Sequence, residues 1–210
     1  PPADADMVGK IIQFNDLKGK VWVADVGWRA SEEINRISNP LAGPVPNFGW
    51  PCYEGAVRQG AYDSAGLTMC ETLYTAAGAT RSPHYQYLKG LSVVAGDACP
   101  SAGASITGVA FYNGNRYPSR FRGALFFADY TRRCIWVMTT GTDGLPDPST
   151  RTPFVTSAAH PVDLQAGPDG DLFYVDFSGG TIRRLTYSAQ NTPPRAAAVA
   201  APRSGVAPLA

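Results

Sequence analysis

The 210 residues are enough for a full hydrophobic core, and 18 Lys+Arg against 17 Asp+Glu leave a net charge of +1, so charge gives no case for a nucleic-acid partner or an anionic membrane surface. Charged residues are sparse at 17%, whereas Gly (22) and Pro (18) are abundant, which is the composition of a turn-rich all-β chain. No apolar run approaches the roughly 20 residues of a membrane-spanning helix. The chain opens Pro1-Pro2-Ala3-Asp4 with neither a start Met nor a visible signal peptide, so a longer parent protein is expected.

In chain order, residues 1–7 read as a loose lead-in, and Lys10 to Phe14 as a first strand. Asn15 to Gly19 supplies a turn into Val21-Trp22-Val23-Ala24-Asp25, followed by a second run at Ile34-Asn35-Arg36-Ile37. Prolines 40, 44 and 46 exclude a helix or central strand beyond it. Residues 48–103 read as a long, largely irregular insertion whose best strand candidate is Pro83 to Tyr87. Ser105 to Tyr112 opens another group of strands, continued by Gly123 to Asp129 and Cys134 to Thr139 and ended by Pro153 to Thr156. Val162 to Gln165 opens a third group, continued by Gly167 to Asp176 and Ile182 to Leu185. From residue 188 the composition shifts to a Pro/Ala-rich linker.

These groups repeat a pattern. Gly19, Gly123 and Gly170 are each followed, after an apolar run, by an aspartate six residues on (Asp25, Asp129, Asp176), then a turn and a second strand. Repeats of this size without intervening helix point to an all-β fold of four-stranded antiparallel β-propeller blades. Unrelated hairpins of a β-sandwich are the competing reading, and the shared internal order of the units favours the propeller. The recurring aspartates have a local use of their own, since Asp commonly hydrogen-bonds the turn that follows it.

Cys52, Cys70, Cys99 and Cys134 contain no CxxC pair, and His84 and His160 lack metal-like spacing, which argues against zinc. An even count in a loop-rich chain fits two disulfides and an oxidising compartment, with reduced buried thiols in a cytosolic protein as the alternative. Of the three possible pairings, Cys52–Cys70 with Cys99–Cys134 is favoured, because the first closes the insertion locally and the second ties its end to a blade. A serine hydrolase is excluded by the lack of a G-x-S-x-G elbow.

Asp25-Val26-Gly27-Trp28-Arg29-Ala30-Ser31-Glu32-Glu33-Ile34-Asn35, Asn47-Phe48-Gly49-Trp50-Pro51-Cys52-Tyr53-Glu54-Gly55, Ser105 to Gly108, Gly123 to Tyr130 and Gly167 to Asp176 together resemble the glucose/sorbosone dehydrogenase family over roughly residues 8–187. The resemblance implies a six-bladed propeller, of which residues 1–187 form about three blades at the C-terminal half, completed by missing N-terminal blades of the same protein. It implies a secreted or periplasmic enzyme that oxidises an aldose- or sorbosone-type sugar with pyrroloquinoline quinone (PQQ) and Ca2+. Residues 188–210 resemble the truncated start of a PKD-like domain.

Carried over residue by residue, the resemblance places calcium on the backbone carbonyls of Gly27 and Trp28, with Asp25, Glu32 and Glu33 as nearby charge; oxygen ligands suit that ion. It places a basic residue facing the cofactor at Arg132, and His160 where the family has paired arginines. No catalytic base is assigned, because the family's histidine belongs to the first half of the propeller and residues 10–18 lack the family's arginine. This fragment alone is therefore expected to be inactive. A non-catalytic propeller acting as a carbohydrate-binding or scaffold module is the alternative, with Trp28, Trp50, Tyr53 and Tyr85 as sugar-stacking candidates.

Overall fold

The computed structural model describes residues 10–14, 19–41, 44–188 and 196–198. Three four-stranded antiparallel sheets carry the fold. The first comprises β1 (Lys10–Phe14), β2 (Val21–Asp25), β3 (Ser31–Ile37) and, after a long excursion, β6 (Tyr85–Leu88). That excursion contains the two-stranded hairpin β4 (Tyr53–Glu54) and β5 (Val57–Arg58) and the short helices α1 (Gly60–Ser64) and α2 (Thr68–Thr75). The second sheet comprises β7 (Ile106–Phe111), β8 (Leu125–Asp129), β9 (Cys134–Met138) and β10 (Thr152–Val155). The third comprises β11 (Pro161–Ala166), β12 (Leu172–Asp176), β13 (Thr181–Leu185) and β14 (Ala196–Ala198).

Within each sheet neighbouring strands pair antiparallel, and the first strands of the three sheets meet, β7 packing against β1 on one side and β11 on the other. Sheets that radiate from adjoining first strands are propeller blades. Blade 2 lies between the other two and is covered on both faces, which is why Leu125-Phe126-Phe127-Ala128 and Cys134-Ile135-Trp136-Val137-Met138 read as unbroken apolar runs. Strand alternation divides them. Leu125, Phe127, Trp136 and Met138 join Trp22, Ile34 and Tyr87 between blades 1 and 2. Phe126, Ala128, Ile135 and Val137 join Leu164, Leu172, Tyr174 and Leu185 between blades 2 and 3.

The repeated Gly and Asp have defined jobs. Gly19, Gly123 and Gly170 have φ of +69°, +76° and +81°, a left-handed turn immediately before the second strand of each blade that glycine adopts without a Cβ penalty. At the other end of that strand, Asp129 accepts hydrogen bonds from the Ser105 and Arg132 amides, and Asp176 from those of His160 and Gly179. Each aspartate thus ties the segment entering the blade's first strand to the turn leaving its second. Burial acts to raise the Asp176 carboxyl, but the two amides and Arg183, 2.8 Å away, outweigh it and hold the group below the usual carboxylate range.

Both disulfides form as expected, Cys52–Cys70 and Cys99–Cys134. Two expectations need correction. Residues 48–103, expected to be a largely irregular insertion, contain α1 and α2, and their last strand, β6, is the fourth strand of blade 1. Ala196–Ala198, assigned to a linker from composition, pairs with Arg183–Leu185 as the fourth strand of blade 3. The lead-in at 1–7 and nearly all of the PKD-like stretch fall outside the described residues. Among the described residues no helix is long and apolar enough to cross a membrane.

Candidate functional site at the Gly27 turn

The turn between β2 and β3 departs from its counterparts in blades 2 and 3. Gly27 sits where the chain folds back so tightly that a Cβ would overlap the Ser31 carbonyl oxygen, and only glycine fits. The turn is held by a residue from another element: Glu54 of β4, fully buried, accepts with Oε1 from the backbone amides of Arg29 (2.8 Å), Ala30 (2.6 Å) and Ser31 (3.2 Å). One carboxylate oxygen gathering three amides is a charge-assisted clamp that fixes the direction of the carbonyls on the same turn.

Beside the clamp, β6 pairs with β3, Leu88 opposite Ser31, and the Lys89 amide continues the pairing by donating to the Ala30 carbonyl at 2.8 Å. This delivers the Lys89 ammonium to the Gly27 carbonyl oxygen at 2.6 Å, with Glu32 Oε1 3.1 Å away. Glu32 is fully buried and its other oxygen accepts from the Ile106 amide at 2.9 Å, so the same carboxylate joins blade 1 to the first strand of blade 2. Burial raises the Glu32 carboxyl, opposed by the Ile106 amide and Lys89.

Glu33 points to the opposite face of β3. It lies across from Asp25 in the sheet, accepts from the Gly55 amide, and takes a hydrogen bond from Asn35 Nδ2 at 3.1 Å. Desolvation raises its carboxyl, and the neighbouring charges of Asp25 and Glu54 push the same way.

Above this polar base stand three rings. Trp28, Trp50 and Tyr62 form a triangle with centroids 6.0–6.2 Å apart, each pair edge-on, and the Arg29 guanidinium lies 4.6 Å over Trp28. Trp28 and Trp50 keep 49% and 42% of their surface exposed, an open aromatic ledge rather than a piece of core. Tyr62, on α1, had no sequence signal to mark it. Tyr53 and Tyr85 are not on the ledge: Tyr53 packs edge-on against Tyr74 at 5.2 Å, and Tyr85 lies among Tyr87 and Phe127, its hydroxyl pushed up to about 12 by burial.

Of the residues expected at the metal and the cofactor, Gly27 and Arg132 are engaged within the fold instead. The Gly27 carbonyl already receives an ammonium, and among the described residues no three His, Cys, Asp or Glu side chains converge as a metal site. With the Lys89 ammonium on it, this donor set does not fit calcium, which takes about six to eight oxygens from protein and water. Arg132 does not face an open funnel. It is completely buried, and its guanidinium donates to the carbonyls of Gly103 (2.9 Å), Leu91 (2.7 Å) and Leu88 (2.8 Å). It clamps residues 88–103 to blade 2 and has no face to offer a quinone carboxylate. His160 is half-buried, with its ring 4.9 Å from that of Tyr130 at the junction of blades 2 and 3.

No protein-family model and no curated protein matches the chain. Solved structures do. A crystal structure of glucose dehydrogenase superposes with a TM-score of 0.52 at 19% identity, covering 78% of this chain and 40% of that one. A second glucose dehydrogenase gives 0.51 at 21% identity, covering 78% and 39%. The apo-form of the soluble aldose sugar dehydrogenase from Escherichia coli gives 0.49 at 23% identity, covering 78% and 40%. The chain therefore spans about 40% of the length of these structures. At such identities the likeness with the two glucose dehydrogenases establishes the fold, and the three sheets are part of a β-propeller of that architecture.

Proposed function

We propose that the chain is part of a secreted or periplasmic, quinone-dependent sugar dehydrogenase, and that its blade 1 forms a wall of the sugar site. The observation that carries this is the joint occurrence, in a fold shared with glucose dehydrogenases, of an exposed aromatic ledge and an ordered polar turn at one spot. An aromatic face beside hydrogen-bonding groups suits a pyranose, whose ring has an apolar face and a hydroxyl rim. Two disulfides support an oxidising compartment. PQQ belongs to this reading by resemblance; bound, it would supply the two-electron acceptor for oxidation of a sugar carbon. Because Arg132 is saturated within the fold, the cations that hold PQQ and the base that takes the sugar proton are assigned to blades outside this chain. Within this chain the rings orient the sugar and exclude water from one of its faces.

The same saturation of Arg132 also favours a second reading, a non-catalytic carbohydrate-binding propeller. One experiment separates the two. The full-length protein is mixed with PQQ, an aldose and a dye acceptor, and sugar binding is followed in parallel by tryptophan fluorescence. Dye reduction with a fluorescence change supports the dehydrogenase, and a fluorescence change without dye reduction supports the binding module. No response in either channel removes both. Trp50→Ala is expected to weaken sugar binding about tenfold, the loss of one stacked ring.

A further inference from the structure

We infer that the ammonium of Lys89 is a tethered cation built into the Gly27 turn, taking the position a divalent ion would occupy on the Gly27 carbonyl, so that this turn takes up no calcium. The inference concerns this chain's own residues and does not depend on the activity proposed above.

Three observations converge on it. The ammonium lies 2.6 Å from the Gly27 oxygen, where it directs a donor at the carbonyl lone pairs that an incoming metal would need. Its charge is matched locally by Glu32 at 3.1 Å, a fully buried carboxylate otherwise bonded to the Ile106 amide. Its position is fixed at both ends, since the Lys89 amide is bonded to the Ala30 carbonyl and the turn it reaches is held rigid by Glu54 through three amides. A Lys side chain carries considerable rotamer freedom, so a lysine anchored through its own backbone beside its target keeps that cost low. With Glu32 neutralised by Lys89 and the Gly27 oxygen engaged, a calcium ion would meet a like charge within ordinary coordination range and find both the Glu32 carboxylate and the Glu54 oxygen at the turn already engaged. Only 22% of the Lys89 side chain is exposed, so the cation is largely enclosed by the turn and the buried Glu32.

Terbium, a luminescent calcium substitute sensitised by the adjacent Trp28, reads the site directly. The wild-type chain is expected to show no saturable terbium signal that calcium competes away. Lys89→Met frees the Gly27 oxygen and the Glu32 carboxylate together and is expected to gain such a signal, and adding Glu32→Gln to it is expected to weaken terbium uptake at least about tenfold, because the only freed charge is gone. Circular dichroism checks that each variant is folded. Because Lys89→Met leaves a buried carboxylate without its partner, a second measurement uses the wild-type chain alone. Acetylation of Lys89, followed by mass spectrometry, is expected to be slower in the folded than in the urea-unfolded chain and unchanged by calcium at about 10 mM, well above the dissociation constants of weak extracellular sites. Calcium that speeds acetylation of Lys89, wild-type terbium uptake equal to that of the variant, or a folded Lys89→Met chain without uptake would each overturn the inference.

Discussion

The carboxylates around the Gly27 turn divide their work by strand alternation, and each role has a measurable consequence. Glu54 serves three amides with a single oxygen, so Glu54→Ala strands three donors at once. Thermal or urea unfolding is expected to show a loss of about 3 kcal/mol, against about 1 kcal/mol for Glu54→Gln, which keeps the acceptor oxygen but not its charge. Glu33 sets a pH dependence. Its folded-state value is raised above the ordinary 4.5, so the folded chain holds a proton that the unfolded chain releases, and this stabilisation is complete below 4.5 and lost as pH rises through the folded value. Glu33→Gln removes the titration while still accepting from Gly55, and Asn35, whose Oδ1 has no hydrogen-bond partner, can turn to accept from the new amide. The stability difference between Glu33→Gln and wild type is therefore expected to move in favour of the variant as pH rises above 4.5, as read by urea midpoints across pH; a constant difference would contradict the assignment. Asp176 works in the opposite sense. Its depressed value contributes stability above its unfolded value that is lost as pH falls through the folded one.

At the scale of elements, the parts legible in the sequence are those whose cause is local. The Gly-to-Asp spacing was readable because the glycine's positive φ and the aspartate's turn bonds are short-range demands that recur with each blade. Helices α1 and α2 were not, because they are short, interrupted by Gly66, and carry one buried residue between them, Cys70, so no apolar periodicity marks them. Their stability comes instead from Gln59, whose side chain caps α1 by accepting from the Ala61 and Tyr62 amides, and from the disulfide that pins α2 to Cys52. The destinations of Arg132 and Lys89 are not legible in the sequence for one reason. A long side chain's destination depends on which distant carbonyls the fold brings to it, and Gly27 and Lys89 are 62 residues apart. The disulfides give a prediction at this scale. Cys52–Cys70 closes a separation of 18 residues and Cys99–Cys134 one of 35, which in the chain-entropy model correspond to about 3 and about 4 kcal/mol. Paired Cys→Ser replacement at 52 and 70 is expected to release α1 and α2, and with them Tyr62 from the aromatic ledge, with faster amide exchange confined to residues 59–75. Replacement at 99 and 134 is expected to lower the main unfolding transition, because that bridge ends at a buried cysteine of β9 in the centre of blade 2.

For the molecule as a whole, the two faces of blade 3 are unequal. Leu172, Tyr174 and Leu185 are buried against blade 2, whereas the opposite face carries Phe173 and Val175, half-buried, and Ile182, 56% exposed, with Phe177 66% exposed just beyond β12. Register places Val175 beside Ile182 and Phe173 beside Arg184, so Phe173, Val175 and Ile182 form an apolar strip on this face, with the Arg184 guanidinium over the Phe173 ring and bonded to Asp171 at its edge. A solvent-facing antiparallel strand would carry polar residues at these alternate positions, as charge and hydroxyl groups do on typical outer faces. The strip is built like the inner faces that blades 1 and 2 already bury against each other, and the chain spans about 40% of the solved propellers it matches, so the occupant we propose for it is a further blade of the same propeller. Without that blade the strip is an association surface. Sedimentation of the 210-residue chain is expected to show concentration-dependent self-association that Ile182→Lys reduces without lowering the melting temperature, since residue 182 is 56% exposed and a lysine there keeps its ammonium in water. A chain that stays monomeric at high concentration with Ile182 intact would mean that the strip needs no cover, and the case for an adjoining blade on this face would fall with it.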